Sequence, residues 1–171
     1  MSVTVFRVSA ADDPAARILL EQYAAWRAAA FAKQSLAYRV APAQPAELTG
    51  DRGVFLIAEG ENLAGEAADV GCAGIRMLDD GPDGRRAELK HLWVQPHARG
   101  AGVGAELVRE LMRRARDDFA ATELVLDSHS SLASAAALYT ALGFTPIEAY
   151  NDNPNANVWL GRRVDDRATT G

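Results

Sequence analysis

Cysteine occurs once in the 171 residues, as Cys72. One thiol forms no internal disulfide, so nothing in the chain requires an oxidising compartment. Cys72 lies in an apolar run with no neighbouring base, which favours a small buried side chain over a nucleophile. Positive charge is also scarce: 18 Lys and Arg stand against 23 Asp and Glu, a formal net charge of −5. Phosphate backbones demand clustered cations, so nucleic acid is not an expected partner. The same balance suits a cationic substrate slightly better than an anionic one, although net charge alone does not place a site. No apolar run is long enough to span a bilayer. The first seven residues lack the basic start and apolar stretch of a signal peptide. A cytoplasmic protein without a membrane partner is the expectation. The three histidines, His91, His97 and His129, lack metal-ligand spacing, and no metal is expected.

What is present is ordinary for a folded domain. Hydrophobic residues make up 49% and charged residues 24%, which excludes a disordered or fibrous chain. The length supports one domain with a sizeable core, so residues 1–171 are read as a single unit. Val3, Val5 and Val8 fit a first strand. Asp12 or Asp13 offers a cap, with Pro14 at the first helical position. Ile18, Leu19, Tyr23, Trp26 and Ala30 follow at helical spacing. Residues 35–53 hold Pro42, Pro45, Gly50 and Gly53 and read as a loop with one helical turn. Residues 54–58, 70–77 and 87–94 read as three strands of an antiparallel meander, the last two joined by an Asp-Gly-Pro turn. From Gly102 the period turns helical, with Leu107, Val108, Leu111, Met112 and Ala115 on one face. Leu124-Val125-Leu126 reads as a strand parallel to residues 87–94. Ser130 or Ser131 is placed to cap a second helix that stops at Gly143, and residues 158–164 form the last strand. This order predicts a mixed sheet with helices on both faces.

Chemistry shows first at the strand–glycine loop–helix unit. Gly100, Gly102 and Gly104 strip side chains from a helix start, where free N–H groups meet the positive end of the helix dipole. A pyrophosphate fits such a site, and so does a plain tight turn. Arg99 either adds a charged contact or braces the loop.

The strand Ala87-Glu88-Leu89-Lys90-His91-Leu92-Trp93-Val94 and the loop Arg99-Gly100-Ala101-Gly102-Val103-Gly104 closely resemble the cofactor motif of the GNAT N-acetyltransferases. That motif, Q/R-x-x-G-x-G/A, falls on Arg99, Gly102 and Gly104. Ala135 to Phe144 matches the family's A-x-x-L-Y-x-x-x-G-F helix. Two motifs at family spacing are far more specific than one, and they cover residues 87–144. The run Tyr150-Asn151-Asp152-Asn153-Pro154 looks like a tail that recurs in one bacterial subgroup. Leu132 is a departure, because many relatives carry Asn there to help hold the cofactor; apolar packing is expected instead.

The resemblance implies a GNAT-like α/β domain, a mainly antiparallel mixed sheet flanked by helices on both faces. It implies an acetyl-CoA-dependent N-acetyltransferase with a primary amine acceptor that attacks directly in a ternary complex. Leu92, Trp93 and Val94 would pair with the pantetheine arm, the N–H of Leu92 polarising the thioester carbonyl. The N–H groups of Arg99, Gly100, Ala101, Gly102, Val103, Gly104 and Ala105 would hold the pyrophosphate. Tyr139 would protonate the leaving thiolate, a phenol near pKa 10 facing a thiol near 8.5. Glu88 is the candidate base, since an ammonium must lose a proton before it attacks. Strand alternation groups Glu88 with Lys90, Leu92 and Val94. As a plain strand glutamate, it would instead pair with a nearby cation.

Two competing readings are kept beside this one. Gly100-Ala101-Gly102-Val103-Gly104-Ala105 also satisfies the dinucleotide-binding fingerprint, although little chain follows it for a doubly wound sheet. A CoA-sensing module without catalysis shares the glycine loop. Asp127-Ser128-His129-Ser130 invites a hydrolase reading, but sequence neighbours rarely form a triad, and a strand-end turn is expected. Trp26, Tyr38 and Trp159 are read as core or acceptor-pocket residues. The acceptor, a small-molecule or protein amine, is not encoded in any pattern, and a homodimer would be common for this fold.

Overall fold

Turn residues and alternating apolar positions divide the chain into strands before residue 95 and into helix–strand units after it. The computed structural model describes residues 4–165. Its elements are β1 (Val5–Val8), α1 (Pro14–Lys33), β2 (Gly53–Glu61), β3 (Ala67–Met77), β4 (Arg86–Val94), α2 (Val103–Phe119), β5 (Glu123–Ser128), α3 (Ala133–Ala141), β6 (Thr145–Pro146) and β7 (Val158–Arg163). One helical turn, Pro45–Glu47, interrupts the long loop as expected, and a second, Pro96–Ala98, follows β4.

The strands form one sheet in the order β1-β2-β3-β4-β5-β7-β6. Among the described residues, only β4 and β5 pair in parallel, joined by the crossover through α2; every other pairing there is antiparallel. This is the expected mixed sheet, and it excludes the doubly wound parallel sheet of a dinucleotide-binding domain. The two faces carry separate cores. Leu107, Val108, Leu111 and Ala115 of α2 pack on Leu56, Val70, Ala73 and Ile75. Ala16 and Leu19 of α1 pack on Phe55, Ile57, Cys72 and Trp93.

Local signals hold well at the helix ends. Asp13 caps α1 by accepting a hydrogen bond from Ala15 N at 3.0 Å, and Pro14 follows it. Gly143, at φ 83°, ends the α3 region. Three details differ from the sequence reading. Ile18 is 57% exposed whereas Leu19 is 1% exposed, because the inward stripe runs through Leu19, Tyr23 and Trp26 and leaves Ile18 about 100° away. Neither Ser130 nor Ser131 caps α3; its N-cap is Leu132, without a side-chain bond. The Ser131 hydroxyl is taken by His129 Nδ1 at 2.8 Å and that of Ser130 by Asn157 Nδ2 at 2.9 Å. The two-residue β6 is too short to leave a periodic signal. Val3, assigned to the first strand, lies outside the described residues.

The detail that matters most is in β4. His91 has φ 59°, and the register shifts so that Trp93 opposes Cys72 while Lys90 opposes Gly74. His91 and Leu92 therefore share Ala73 as their partner, a β-bulge that reverses side-chain parity along the strand. Ala87 and Leu89 lie in the α2-side core, and so do Leu92 and Val94. Glu88 and Lys90 thus point to the opposite face, and the expected grouping of Glu88 with Leu92 and Val94 is overturned by the extra residue.

The helix phase is directly testable. Leu19→Ala is expected to cost about 2–5 kcal/mol, and Ile18→Ala no more than about 0.5 kcal/mol. Thermal melts of the two variants should differ by several degrees; equal losses would mean that α1 presents another face to the sheet.

Candidate active site

The glycine loop owes its composition to backbone angles. Gly100 and Gly102 have φ of 84° and 86°, a region that residues with a side chain rarely enter. A Cβ at either position would meet nothing within 4 Å, so the space above the loop is open. Gly102 is the N-cap of α2 and supplies no side-chain acceptor, so the first N–H groups of that helix are left to an external partner. Arg99 turns back from this opening. Its Nε donates to Val94 O at 2.9 Å, and its guanidinium lies 5.2 and 4.9 Å from the ring centres of Trp26 and Trp93. Of its two expected roles, the structure shows the brace.

A groove of about 350 Å³ runs from this loop along the end of β4 to α3. It exists because β4 and β5 pair only from Arg86↔Glu123 to Glu88↔Val125. Beyond that point the strands part, and Leu92, Trp93 and Val94 form one wall while Ala135, Leu138 and Tyr139 form the other. An apolar channel ending in free N–H donors fits an extended thiol arm with phosphates at its far end.

Tyr139 is buried, packs edge-on against Phe144 with ring centres 5.7 Å apart, and lines both the groove and a second cavity beyond it. Burial, with Tyr23 and Asp127 adding to it, pushes the phenol well above its ordinary value, so it keeps its proton at neutral pH. The second cavity is small, about 80 Å³, and is lined by Tyr23, Arg27, Lys90, His91 and Asp127 among others. It shares Lys90, His91, Asp127 and Asn153 with an outer cavity of about 410 Å³ near residues 41–48.

Glu88 lines neither cavity. It is 0% exposed, with Oε1 accepting from Arg76 Nε at 2.7 Å and Oε2 from the Tyr150 hydroxyl at 2.6 Å. Arg76 also donates to Glu47 at 2.7 Å, which holds the Glu47 carboxyl below the usual carboxylate range. The carboxylate common to both cavities is Asp127, whose part in the site the sequence reading missed; Glu47 lines the outer cavity as well. Its Oδ2 accepts from Asn151 Nδ2 at 2.7 Å and Asn153 Nδ2 at 3.1 Å. Asn155 in turn accepts from Arg39 N at 2.9 Å and donates to Arg39 O at 2.6 Å. Asn157 accepts from Ser130 N at 2.8 Å. Asparagine at 151, 153, 155 and 157 was the available signal: period-two amides along an irregular segment tie several loops together.

The remaining candidates fall into place. Cys72 is buried with Sγ 3.5 Å from His91 O, and burial raises its thiol far above its ordinary value, which suits packing and not attack. His129 forms the expected strand-end turn with Ser131. Leu132 is buried beside the inner cavity, as apolar packing requires. Trp26 and Tyr38 line the inner cavity, and Trp159 donates to Asn151 at 3.0 Å. Among the described residues, no cluster of three or more His, Cys, Asp or Glu could hold a metal, and no helix is long and apolar enough to cross a membrane.

Comparison with known proteins agrees with this geometry. Residues 18–144 match the model of the Acetyltransferase (GNAT) family. An uncharacterized N-acetyltransferase of Schizosaccharomyces pombe is 34% identical over 106 residues, covering 62% of this chain and 60% of its own length. This chain thus spans less than two thirds of that relative. A GNAT-family acetyltransferase structure from Staphylococcus aureus superposes with a TM-score of 0.68 at 16% identity, covering 95% of this chain and 99% of that one. A predicted acetyltransferase from Clostridium acetobutylicum, solved with acetyl-CoA, gives 0.60 at 16% identity, covering 88% and 95%. At these identities the two structures show a shared fold.

His91 provides a pH test of the site. Burial, reinforced by the charges of Lys90, Arg76 and Arg27, brings its imidazole down to about 4 from 6.5. The unfolded chain therefore takes up a proton near pH 6.5 that the folded chain refuses until about pH 4. The stability that neutral His91 contributes is complete above pH 6.5 and is lost as pH falls toward 4, up to about 3 kcal/mol in all. His91→Asn, which tolerates a positive φ, is expected to flatten this part of the stability curve in denaturant titrations between pH 4 and 7. A slope unchanged by the substitution would show that His91 titrates normally.

Proposed function

The chain belongs to the GNAT acetyltransferase family, and we propose that it moves the acetyl group of acetyl-CoA to a primary amine held in the same complex. Family membership makes it an acyltransferase that uses an acyl-CoA. The observation that supports the finer reading is the placement of Tyr139, which lines the groove on one side and the small polar cavity on the other. A donor lying in the groove and an amine in the cavity would meet at this side chain.

Acetyl-CoA supplies an activated acyl group on a sulfur leaving group. In this reading the N–H groups from Arg99 to Ala105 hold its pyrophosphate, and the backbone of Leu92, Trp93 and Val94 holds the pantetheine arm. The bulge at His91 turns the Leu92 side chain into the α2-side core, alongside Val94. The Leu92 N–H is assigned to the thioester oxygen, where preorganised donors act most strongly as charge develops. Tyr139 hands its proton to the departing sulfur. Its raised pKa keeps the phenol protonated at neutral pH, so the proton is in place when the thiolate forms.

The amine reaches the cavity as an ammonium and must give up one proton. A general base has to lie within hydrogen-bond reach of that proton. Both Glu88 oxygens are engaged and the side chain is closed off, so its geometry supports a structural part: it neutralises Arg76 and anchors Tyr150. Asp127 borders the cavity and both amide donors fall on its Oδ2, which leaves Oδ1 for the incoming ammonium. The base role expected of Glu88 therefore passes to Asp127 in this mechanism.

The test of the function is release of free CoA from acetyl-CoA with a panel of amines. Tyr139→Phe keeps the ring and removes the hydroxyl, and kcat is expected to fall at least about tenfold while acetyl-CoA affinity holds. Acetyl-CoA binding without CoA release for any amine would leave a CoA-binding module. A second expectation separates the carboxylates. Asp127→Asn should abolish the acidic limb of the kcat/KM profile and recover part of its rate at high pH. Glu88→Gln should lower the melting temperature by several degrees and keep that limb, because it removes a buried charge from Arg76. The opposite pattern would return the base role to Glu88.

A further inference from the structure

Arg27 and Asp127 line the same small cavity, carry opposite charges, and have no ion-pair partner among the described residues. A charge withdrawn from water is costly unless something compensates it. Arg27 is compensated by aromatic faces: its guanidinium lies 5.7, 5.4 and 5.4 Å from the ring centres of Tyr23, Phe31 and Tyr38. Those rings hold the guanidinium plane without using its N–H groups. Its Nη1 donates to the Tyr23 hydroxyl at 2.9 Å, while its Nε is buried without a partner. A fixed planar fork with a spare buried donor is the natural receptor for a carboxylate. Lys90 lines the cavity too, its Nζ a loose 3.7 Å from Glu88. Lys90, Arg76 and Arg27 all lie close enough to His91 to oppose its protonation after burial does, so three cations stand near this wall. Against this stands a single wall carboxylate of the inner cavity, Asp127, with Oδ1 unbonded among the described residues.

We propose that the acceptor is a small zwitterion, an amino-acid-like amine whose ammonium meets Asp127 and whose carboxylate meets Arg27, with Lys90 beside it. The proposal rests on the N-acetyltransferase reading and names its substrate class. The inner cavity, about 80 Å³, takes the two charged ends, and the remainder of the molecule extends past His91 and Asn153 into the outer cavity of about 410 Å³. A neutral amine, or a lysine side chain of a protein, would bring no anion to Arg27 and would leave its Nε unsatisfied. The ammonium passes one proton to Asp127, and the neutral nitrogen attacks the acyl carbon; as the C–S bond breaks, its electron pair leaves on the CoA sulfur, which takes the Tyr139 proton, and the second proton of the nitrogen returns to the Tyr139 oxygen.

The test uses matched probes on the protein saturated with CoA. Calorimetric titrations compare L-alanine with L-alaninamide and L-methionine with L-methioninamide, and the same four amines are assayed for CoA release from acetyl-CoA. Each amino acid is expected to bind at least about tenfold more tightly than its amide, since a charge-assisted pair is lost with the carboxylate. That ratio should collapse toward one in Arg27→Gln and survive in part in Arg27→Lys. If the amides bind the wild-type protein as tightly as the acids, the zwitterion proposal is overturned, whatever the turnover. If the acids bind preferentially but no amine releases CoA, the charge assignment of the cavity stands and acetyl transfer is the reading that fails.

Discussion

The parting of β4 from β5 after Glu88 and Val125 is the constraint on which the rest of the site depends. Parallel strands that stop pairing leave backbone donors and acceptors that need other partners. Here the gap opens a groove long enough for an extended chain, bounded by the glycine loop at one end and Tyr139 at the other. The bulge at His91 completes the arrangement. One extra residue sends Leu92 and Val94 to the α2 side and leaves Glu88 and Lys90 on the other, so the two faces of one strand serve different purposes. Without it, Glu88 would share a face with the groove-lining side chains.

Charge is distributed against the average. The chain is acidic overall, with a net charge of −5, yet Arg27, Arg76 and Lys90 gather around the two polar cavities beside Asp127 and Glu47. Net charge therefore does not describe these walls, because a cavity wall is set by the few side chains that reach it. Arg76 is balanced on two sides, by Glu47 from the long loop and by Glu88 from β4, and Tyr150 closes the other oxygen of Glu88. This set joins the loop, the sheet and the tail through one buried carboxylate.

The tail performs a second joining. Asn151 and Asn153 fix Asp127, Asn155 grips both backbone groups of Arg39, and Asn157 holds Ser130. An amide carries both donors and an acceptor, so alternating asparagines let one irregular segment fasten the end of β5, the loop at Arg39 and the turn at Ser130 without adding charge. The inner cavity is thus assembled from segments more than a hundred residues apart in the chain, Tyr38 and Asn155 among them.

Sequence by itself determined the element order apart from the short β6, the mixed sheet with helices on both faces, the glycine loop at the start of α2 and the Tyr139 helix with its Gly143 stop. Those features depend on local physics: hydrophobic period, turn chemistry, the left-handed φ that glycine accepts, and motif spacing within about sixty residues. Tertiary structure alone decided the face of Glu88, the cap of α3 and the outward turn of Ile18. A bulge, serines engaged by His129 and by the distant Asn157, and the phase of a helix leave no mark on the hydrophobic pattern. It alone placed Arg27 and Asp127 on the walls of one cavity, from helix α1 and the end of β5. A placement of that kind is set by packing across the sheet, and no spacing along the chain encodes it.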